Sequence, residues 1–117
     1  LAAELYTQAT GFELTSGELM KGGERAWNIL KILNVREGFS RKDDIFPEEF
    51  FLPLEKDGKI FYLRDYYGNK MDREDVKSLF DDYYEERGWD IEEGIPSREK
   101  LKELEIEGIK EKLSIRK

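Results

Sequence analysis

The chain contains no cysteine and no histidine in its 117 residues. The lack of cysteine excludes disulfides, thiolate metal sites and a cysteine nucleophile. The lack of histidine removes the most common general base and metal-binding side chain. Most familiar catalytic and metal-binding chemistries are thereby excluded, and we expect no catalytic, cofactor-binding or metal-binding residue in this chain.

Long apolar runs are also missing, which excludes a membrane-spanning helix. The first residues lack the basic and then apolar pattern of a secretory leader, so we expect a soluble, cytoplasmic protein. Leu1 falls inside a helical pattern instead of before one. This position predicts that the chain is a fragment of a longer protein.

The charges that are present are mainly acidic, with 27 Asp and Glu against 20 Lys and Arg. A net charge of −7 weighs against a nucleic acid or an anionic membrane as partner, because both bind clustered Lys and Arg. The charged fraction of 40%, with two Met and no Cys, is typical of a thermophilic source.

Helical signals dominate the first 38 residues. An apolar stripe at residues 1–10 ends at Gly11, and Thr15 with Glu18 forms the sequence of a capping box. From there a second helix runs to Gly38, with apolar residues on more than half of its circumference. We expect that helix to be heavily buried and closely packed at Gly22 and Gly23.

The remaining pattern predicts a loop over residues 39–54 that contains one helical turn. A hairpin turn follows at Asp57-Gly58, and then a short strand at residues 60–63. Asp72 begins a third helix that Gly88 ends, a fourth begins near residue 98, and a fifth spans 107–113. The fold class is mainly α: an irregular domain of about four to five helices with a possible short β-ribbon.

The segment at the end of the second helix has the most unusual composition, because both signs of charge are packed into a few residues. It contains Arg36, Glu37, Arg41, Asp43 and Asp44. Its two arginines could bind a carboxylate ligand through paired hydrogen bonds. In the structural interpretation, which we favour, the five residues satisfy one another and the last helical carbonyls and fix the loop.

Three other sequence patterns are weaker candidates for a functional site. Paired acids at residues 43–44, 48–49, 81–82 and 85–86 are best explained as solvated surface, since no calcium-loop pattern surrounds them. Tyrosines beside Arg and Lys at residues 62–87 suggest base stacking, but neighbouring acids oppose a polyanion. The sequence Asp65-Tyr66-Tyr67-Gly68 is only a weak match to a phosphate- or pterin-binding turn.

Several segments together resemble the C-terminal domain of the tungsten-containing aldehyde ferredoxin oxidoreductase family, in both order and spacing. The matching segments are residues 9–12 (ATGF), 23–28 (GERAWN), 34–44 (NVREGFSRKDD), 53–54 (PL), 82–84 (DYY), 87–90 (RGWD) and 94–101 (GIPSREKL). The resemblance covers almost the whole chain, and residues 59–70 depart from it.

The resemblance implies that the parent enzyme oxidises an aldehyde to its carboxylic acid and passes electrons to ferredoxin. It also implies a tungsten, or related molybdenum, held by two molybdopterin-type pterin dithiolenes, and one [4Fe-4S] cluster. In such enzymes the cluster cysteines, the acid and base residues and the pterin-binding turns precede the matched region. No catalytic residue is carried over, and the loop containing Arg41 and Asp44 is expected to support the substrate channel.

Two interpretations follow. In the first, residues 1–117 are a single C-terminal helical domain, or part of one, that lacks the N-terminal cofactor- and cluster-binding regions. Such a chain would be inactive alone, with the N-terminal part of the same enzyme as its partner and ferredoxin and an aldehyde as partners of the parent. The alternative is a free-standing acidic helical interaction module without cofactor. Large exposed apolar area would favour the first interpretation.

Overall fold

The structure, a computed structural model, describes residues 1–112 of the chain. Five helices form most of it: α1 (Ala2–Thr10), α2 (Ser16–Arg36), α3 (Arg73–Arg87), α4 (Arg98–Glu103) and α5 (Ile109–Lys112). Two short antiparallel strands, β1 (Leu54–Lys56) and β2 (Lys59–Phe61), form a ribbon between α2 and α3. The mainly α fold class with a short ribbon is confirmed, and Leu113, predicted as the end of the fifth helix, lies outside the described residues.

Local capping chemistry sets the helix boundaries. The Thr15 hydroxyl accepts from the backbone N–H of Glu18 at 3.2 Å, and the Glu18 carboxylate accepts from the N–H of Thr15 at 2.8 Å. Asp72 and Asp75 exchange the same pair of bonds at 2.9 and 2.8 Å at the start of α3. Each cap satisfies backbone donors that a helix leaves unpaired at its first turn.

The ribbon follows the predicted hairpin. Asp57 and Gly58 connect the strands with φ values of 54° and 71°, the left-handed conformation that a two-residue turn requires. The second strand begins and ends earlier than residues 60–63, and both strands are exposed along their length.

A small core forms where the second half of α2 meets the end of α3, the 88–97 loop and α4. Its fully buried side chains include Ile32, Tyr84, Leu101 and Leu104. On α3 the buried residues are Val76 and Tyr84, and Leu79 is 52% exposed because it lies at the edge of the stripe that they centre.

Helix α2 is not heavily buried by this chain, so that prediction is wrong for the described residues. Only Asn28, Lys31 and Ile32 are buried along it, and no atom lies within 4 Å of a Cβ built on Gly22 or Gly23. The reason is geometric, because the elements present pack against one side of α2 only.

The molecule as a whole is more open than its length requires. Its radius of gyration is 18.8 Å, whereas a compact domain of this length has about 13 Å. Its accessible surface is 9476 Å², against about 6,700 Å² for a folded monomer of this mass. The excess surface is substantially apolar, since residues such as Phe12, Ile45 and Leu54 are exposed.

Candidate functional site

The loop after α2 follows Gly38, whose φ is +94°, and carries three of the charged residues predicted to matter, Arg41, Asp43 and Asp44. Arg41–Asp43 forms a single 3₁₀ turn. The Asp43 carboxylate accepts from the backbone N–H of Ser40 at 2.8 Å, and the Asp43 N–H donates to the Ser40 carbonyl at 3.0 Å. Asp43 therefore fixes the shape of the loop locally.

Asp44, the next residue, reaches across to two helices. Its carboxylate accepts from the ammonium of Lys31 on α2 at 2.7 Å and from the hydroxyl of Tyr84 on α3. The Lys31 side chain is only 10% exposed, and its ammonium lies 5.7 and 5.2 Å from the ring centroids of Tyr84 and Trp89. A cation held this deep requires both a counter-ion and π faces.

The electrostatics of Asp44 and Tyr84 follow from this arrangement. Partial burial of Asp44 would raise its pKa, but the bonds from Lys31 and Tyr84 and the charges of Lys31 and Arg41 outweigh burial and lower it. Burial, and then the bond to the Asp44 carboxylate, raise the pKa of Tyr84 well above its ordinary value. We therefore expect an ionised Asp44 and a protonated Tyr84 at neutral pH.

Arg41 ties the same loop to α3 and to the loop that follows α3. Its guanidinium pairs with Asp81 at 2.5 Å, donates to the Ile91 carbonyl at 2.6 Å and stacks 5.0 Å from the Tyr84 ring centroid. Its backbone N–H donates to the Glu93 carbonyl at 3.1 Å. All of these partners lie on α3 or on the loop after it, so Arg41 fastens its loop to that side.

Gly94 permits this close approach. Its φ is +70°, and a Cβ placed there would lie 3.3 Å from both the Arg41 backbone nitrogen and the Tyr84 hydroxyl. The position thus combines a left-handed backbone with a contact that leaves little room for a side chain.

A second buried bond joins α2 to the loop after α3. The indole N–H of Trp89 donates to the Asn28 side-chain oxygen at 2.8 Å, and the Asn28 amide donates to the Glu24 carbonyl at 2.9 Å. Sequence reasoning missed Asn28, Lys31 and Tyr84 as network members. The sequence signal that could have identified the first two was a pair of polar residues, Asn28 and Lys31, on the core-facing stripe of α2 beside the buried Ile32.

The five residues predicted as one cluster separate into three groups. Arg36 and Glu37 pair at 3.0 Å on the exposed surface, Asp43 acts within its own loop, and Arg41 and Asp44 bond to other elements. The expectation that all five satisfy one another is therefore wrong for Arg41 and Asp44, because partners distant in the chain lie closer. Asp81 likewise departs from the predicted solvated face, because it pairs with Arg41.

An open cleft of about 550 Å³ lies between this loop and α3. Its floor is apolar and includes Phe46, Phe51, Val76 and Phe80, and cations such as Arg73 and Lys77 stand at its sides. Arg73 pairs with Glu48 across it. Such a surface can form the wall of a channel or cover an apolar neighbour.

The donor set does not fit a metal centre. The 117 residues offer no thiolate or imidazole, and within residues 1–112 no three acidic side chains are grouped to hold a metal ion. In the segment that weakly matches a pterin-binding turn, the Asp65 carboxylate accepts from the backbone and side-chain amides of Asn69 at 2.8 and 2.9 Å, so it closes its own turn.

In the described part of the chain, every helix is too short or too polar to cross a bilayer.

Comparison with known proteins gives a consistent result. The family profile for aldehyde ferredoxin oxidoreductase, domains 2 and 3, matches residues 1–106. The tungsten-containing aldehyde ferredoxin oxidoreductase of Pyrococcus furiosus is 32% identical over 104 residues, which is 88% of this chain and 16% of that protein. The enzyme of the same name from Pyrococcus horikoshii is 32% identical over 112 residues, 92% of this chain and 17% of that protein.

A third relative is named for a different substrate. The aliphatic sulfonate oxidoreductase WOR-like subunit of Pyrococcus furiosus is 34% identical over 125 aligned positions, which cover 96% of this chain and 19% of that protein. No solved structure matches. The chain thus spans less than a fifth of the length of these relatives.

Proposed function

Because this chain belongs to the aldehyde ferredoxin oxidoreductase family, we propose that it is a supporting portion of a tungsten-dependent enzyme that oxidises an aldehyde to its carboxylic acid. In this proposal ferredoxin accepts the electrons, and the tungsten–pterin site and the [4Fe-4S] cluster are held by other parts of the enzyme. The observation that carries the proposal is the family match over residues 1–106.

The role of this chain in the proposal is mechanical. Asp44 and Arg41 bind the post-α2 loop to α2, α3 and the loop after α3, so the loop holds one position relative to the apolar cleft. The cleft then serves as part of a wall beside the substrate channel. The recorded bonds of Asp44 and Arg41 run to side chains and carbonyls of this chain, which is the pattern expected of residues that position a loop.

The openness of the chain supports a larger assembly. Its surface exceeds that of a compact monomer by more than a quarter, and apolar patches of several hundred Å² usually mark an interaction surface. The alternative, a free-standing interaction module without cofactor, gains no support from the family match. We further propose a cytoplasmic enzyme from a thermophile, in which ion-pair networks raise Tm above about 90 °C.

Purification of the full-length enzyme tests the proposal. We expect aldehyde-dependent reduction of ferredoxin, with tungsten and iron present by elemental analysis. Aliphatic sulfonates provide the sharpest control, because one relative is named for them. Oxidation of a sulfonate without oxidation of any aldehyde would overturn the proposed substrate class, and absence of tungsten from the active enzyme would overturn the proposed metal.

A further inference from the structure

The outward side of α2 carries a regular apolar row. Met20, Gly23, Trp27 and Leu30 follow one another at i, i+3, i+7 and i+10, the spacing of a helix–helix seam. Met20, Trp27 and Leu30 are 74%, 50% and 55% exposed. We call these four residues the α2 seam. Among residues 1–112, α3 touches one edge of it through the Trp27–Tyr83 bond, and the rest of the row stays largely exposed.

Gly23 leaves a gap in the α2 seam, here called the notch, because glycine has no side chain. A glycine inside a helix is less favourable than alanine. Nothing lies within 4 Å of the space that a Cβ would fill at Gly23. The described residues therefore gain nothing from this glycine, whereas a second helix could approach closely at that point.

Arg87 lies beside the α2 seam, and one of its hydrogen-bond donors is unpaired. It shares a groove of about 580 Å³ with Met20, Gly23 and Trp27. Its guanidinium lies 5.3 Å from the Tyr83 ring centroid, and the Tyr83 hydroxyl accepts from the Trp27 indole at 2.9 Å. The Nε of Arg87 is enclosed by this chain and has no hydrogen-bond partner among the described residues, so the guanidinium is incompletely paired, which is unfavourable.

These observations identify the chemistry of the occupant. We propose that a helix from another part of the same enzyme packs along the α2 seam. It places an apolar side chain over Gly23 and a carboxylate or carbonyl oxygen against Arg87. The proposal rests on the proposed function, because the region shared with this chain is only 16% and 17% of the length of the relatives, which leaves most of each relative outside it.

Thiol labelling of the full-length enzyme tests burial of the α2 seam directly. The chain has no cysteine, so the Met20→Cys variant gives the peptide containing residue 20 a single reactive thiol that mass spectrometry can follow. We expect native labelling at least about ten-fold slower than in the urea-unfolded protein, because a docked helix must open first. Labelling of the native enzyme at the unfolded rate would overturn the proposal.

Two leucine substitutions provide a matched pair. Gly22 and Gly23 both lie inside α2 with open space around them, but they point about 100° apart around the helix axis. Gly23→Leu is expected to lower the Tm of the full-length enzyme by several degrees, because it fills the notch. Gly22→Leu should leave Tm unchanged or raise it, since leucine favours the helix. Equal effects of the two substitutions would contradict docking at Gly23.

Two measurements separate the possible failures. If slow labelling at residue 20 becomes fast on dilution, a second copy covers the α2 seam and the proposed occupant is wrong. Aldehyde oxidation is measured on the same preparation. An active enzyme with an open residue 20 overturns docking and leaves the proposed function intact, whereas a protected residue 20 without aldehyde oxidation overturns the proposed function alone.

Discussion

The Lys31 ammonium and the Asp44 carboxylate lie 2.7 Å apart, although one belongs to α2 and the other to the loop beyond its end. Because the Lys31 side chain is nearly buried, its positive charge needs a counter-ion, and Asp44 provides it. Tyr84 completes the arrangement by donating to the same carboxylate. The proposed role of the chain, to hold the post-α2 loop in one position, depends on this junction of α2, α3 and the loop.

Replacement of this counter-ion should destabilise the enzyme in a pH-dependent way. Asp44→Asn is expected to cost about 2 kcal/mol at pH 7, because it leaves Lys31 nearly buried without a paired charge. The pKa of Asp44 is lowered in the folded state. Its contribution is therefore complete above the unfolded carboxyl pKa of about 3.9 and is lost as pH falls through the lower folded pKa.

Urea unfolding of the full-length enzyme from pH 7 to pH 3 measures this effect. The difference between wild type and Asp44→Asn should shrink as pH falls below about 4, because Asp44 then becomes protonated in the unfolded state while it stays ionised in the folded state. Asp82→Asn, on the exposed side of α3, serves as the control and should have little effect throughout. A difference that stays constant across this range would show that charge is not the cause.

Removal of the Arg41 side chain tests the attachment of the loop to α3. Arg41→Ala loses the pair with Asp81, the bond to the Ile91 carbonyl and the stacking on Tyr84, and we expect a loss of about 2 kcal/mol. Arg36→Ala removes only an exposed pair with Glu37, which should cost under about 1 kcal/mol. Thermal unfolding compares the two, and equal Tm values for the two variants would contradict the assigned role of Arg41.

Gly94 should not tolerate a side chain. Gly94→Ala introduces a residue at a φ of +70° and brings its Cβ to 3.3 Å from the Arg41 nitrogen and the Tyr84 hydroxyl. Gly11, with φ +77° and open space, isolates the backbone part of the effect. We expect Gly11→Ala to cost about 1 kcal/mol, and Gly94→Ala to lower Tm further. If the Gly11 variant loses as much, the contact at Gly94 is unimportant.

The buried hydrogen bond between Trp89 and Asn28 should also contribute measurably to the free energy of unfolding. Asn28→Ala leaves the buried indole N–H without its acceptor, at a cost of about 1–3 kcal/mol. Asn34→Ala, at an exposed position of the same helix, controls for the change in helix propensity. Fluorescence-detected unfolding should show a lower midpoint for the first variant only, and matching midpoints would disprove the importance of the bond.

Signals that depend on near neighbours in sequence predicted the fold well. The capping box at Thr15, the helix cap at Asp72, the stop at Gly88 and the hairpin turn at Asp57 each involve residues within four positions of one another. Their backbone chemistry is decided locally. Consequently the helices and the ribbon appear where the sequence places them, with end shifts of a few residues.

The network and the exposure of α2 could not be predicted in the same way. Trp89 bonds to a residue 61 positions away, and Arg41 to one 50 positions away, so these partners depend on which helices pack together. The apolar width of α2 indicates that the helix is covered in the working protein. It does not say whether this chain or another segment covers it.

The turnover of the Asp44→Asn variant of the full-length enzyme tests most directly whether this chain supports the site without taking part in the reaction. The aldehyde-oxidation kcat is compared with wild type at a temperature where both proteins are folded, and Tm is measured on the same samples. We predict a lower Tm with kcat within about two-fold of wild type, because in the proposed role Asp44 stabilises the fold and takes no part in the reaction. A fall of about a hundred-fold in kcat with an unchanged Tm would contradict this account.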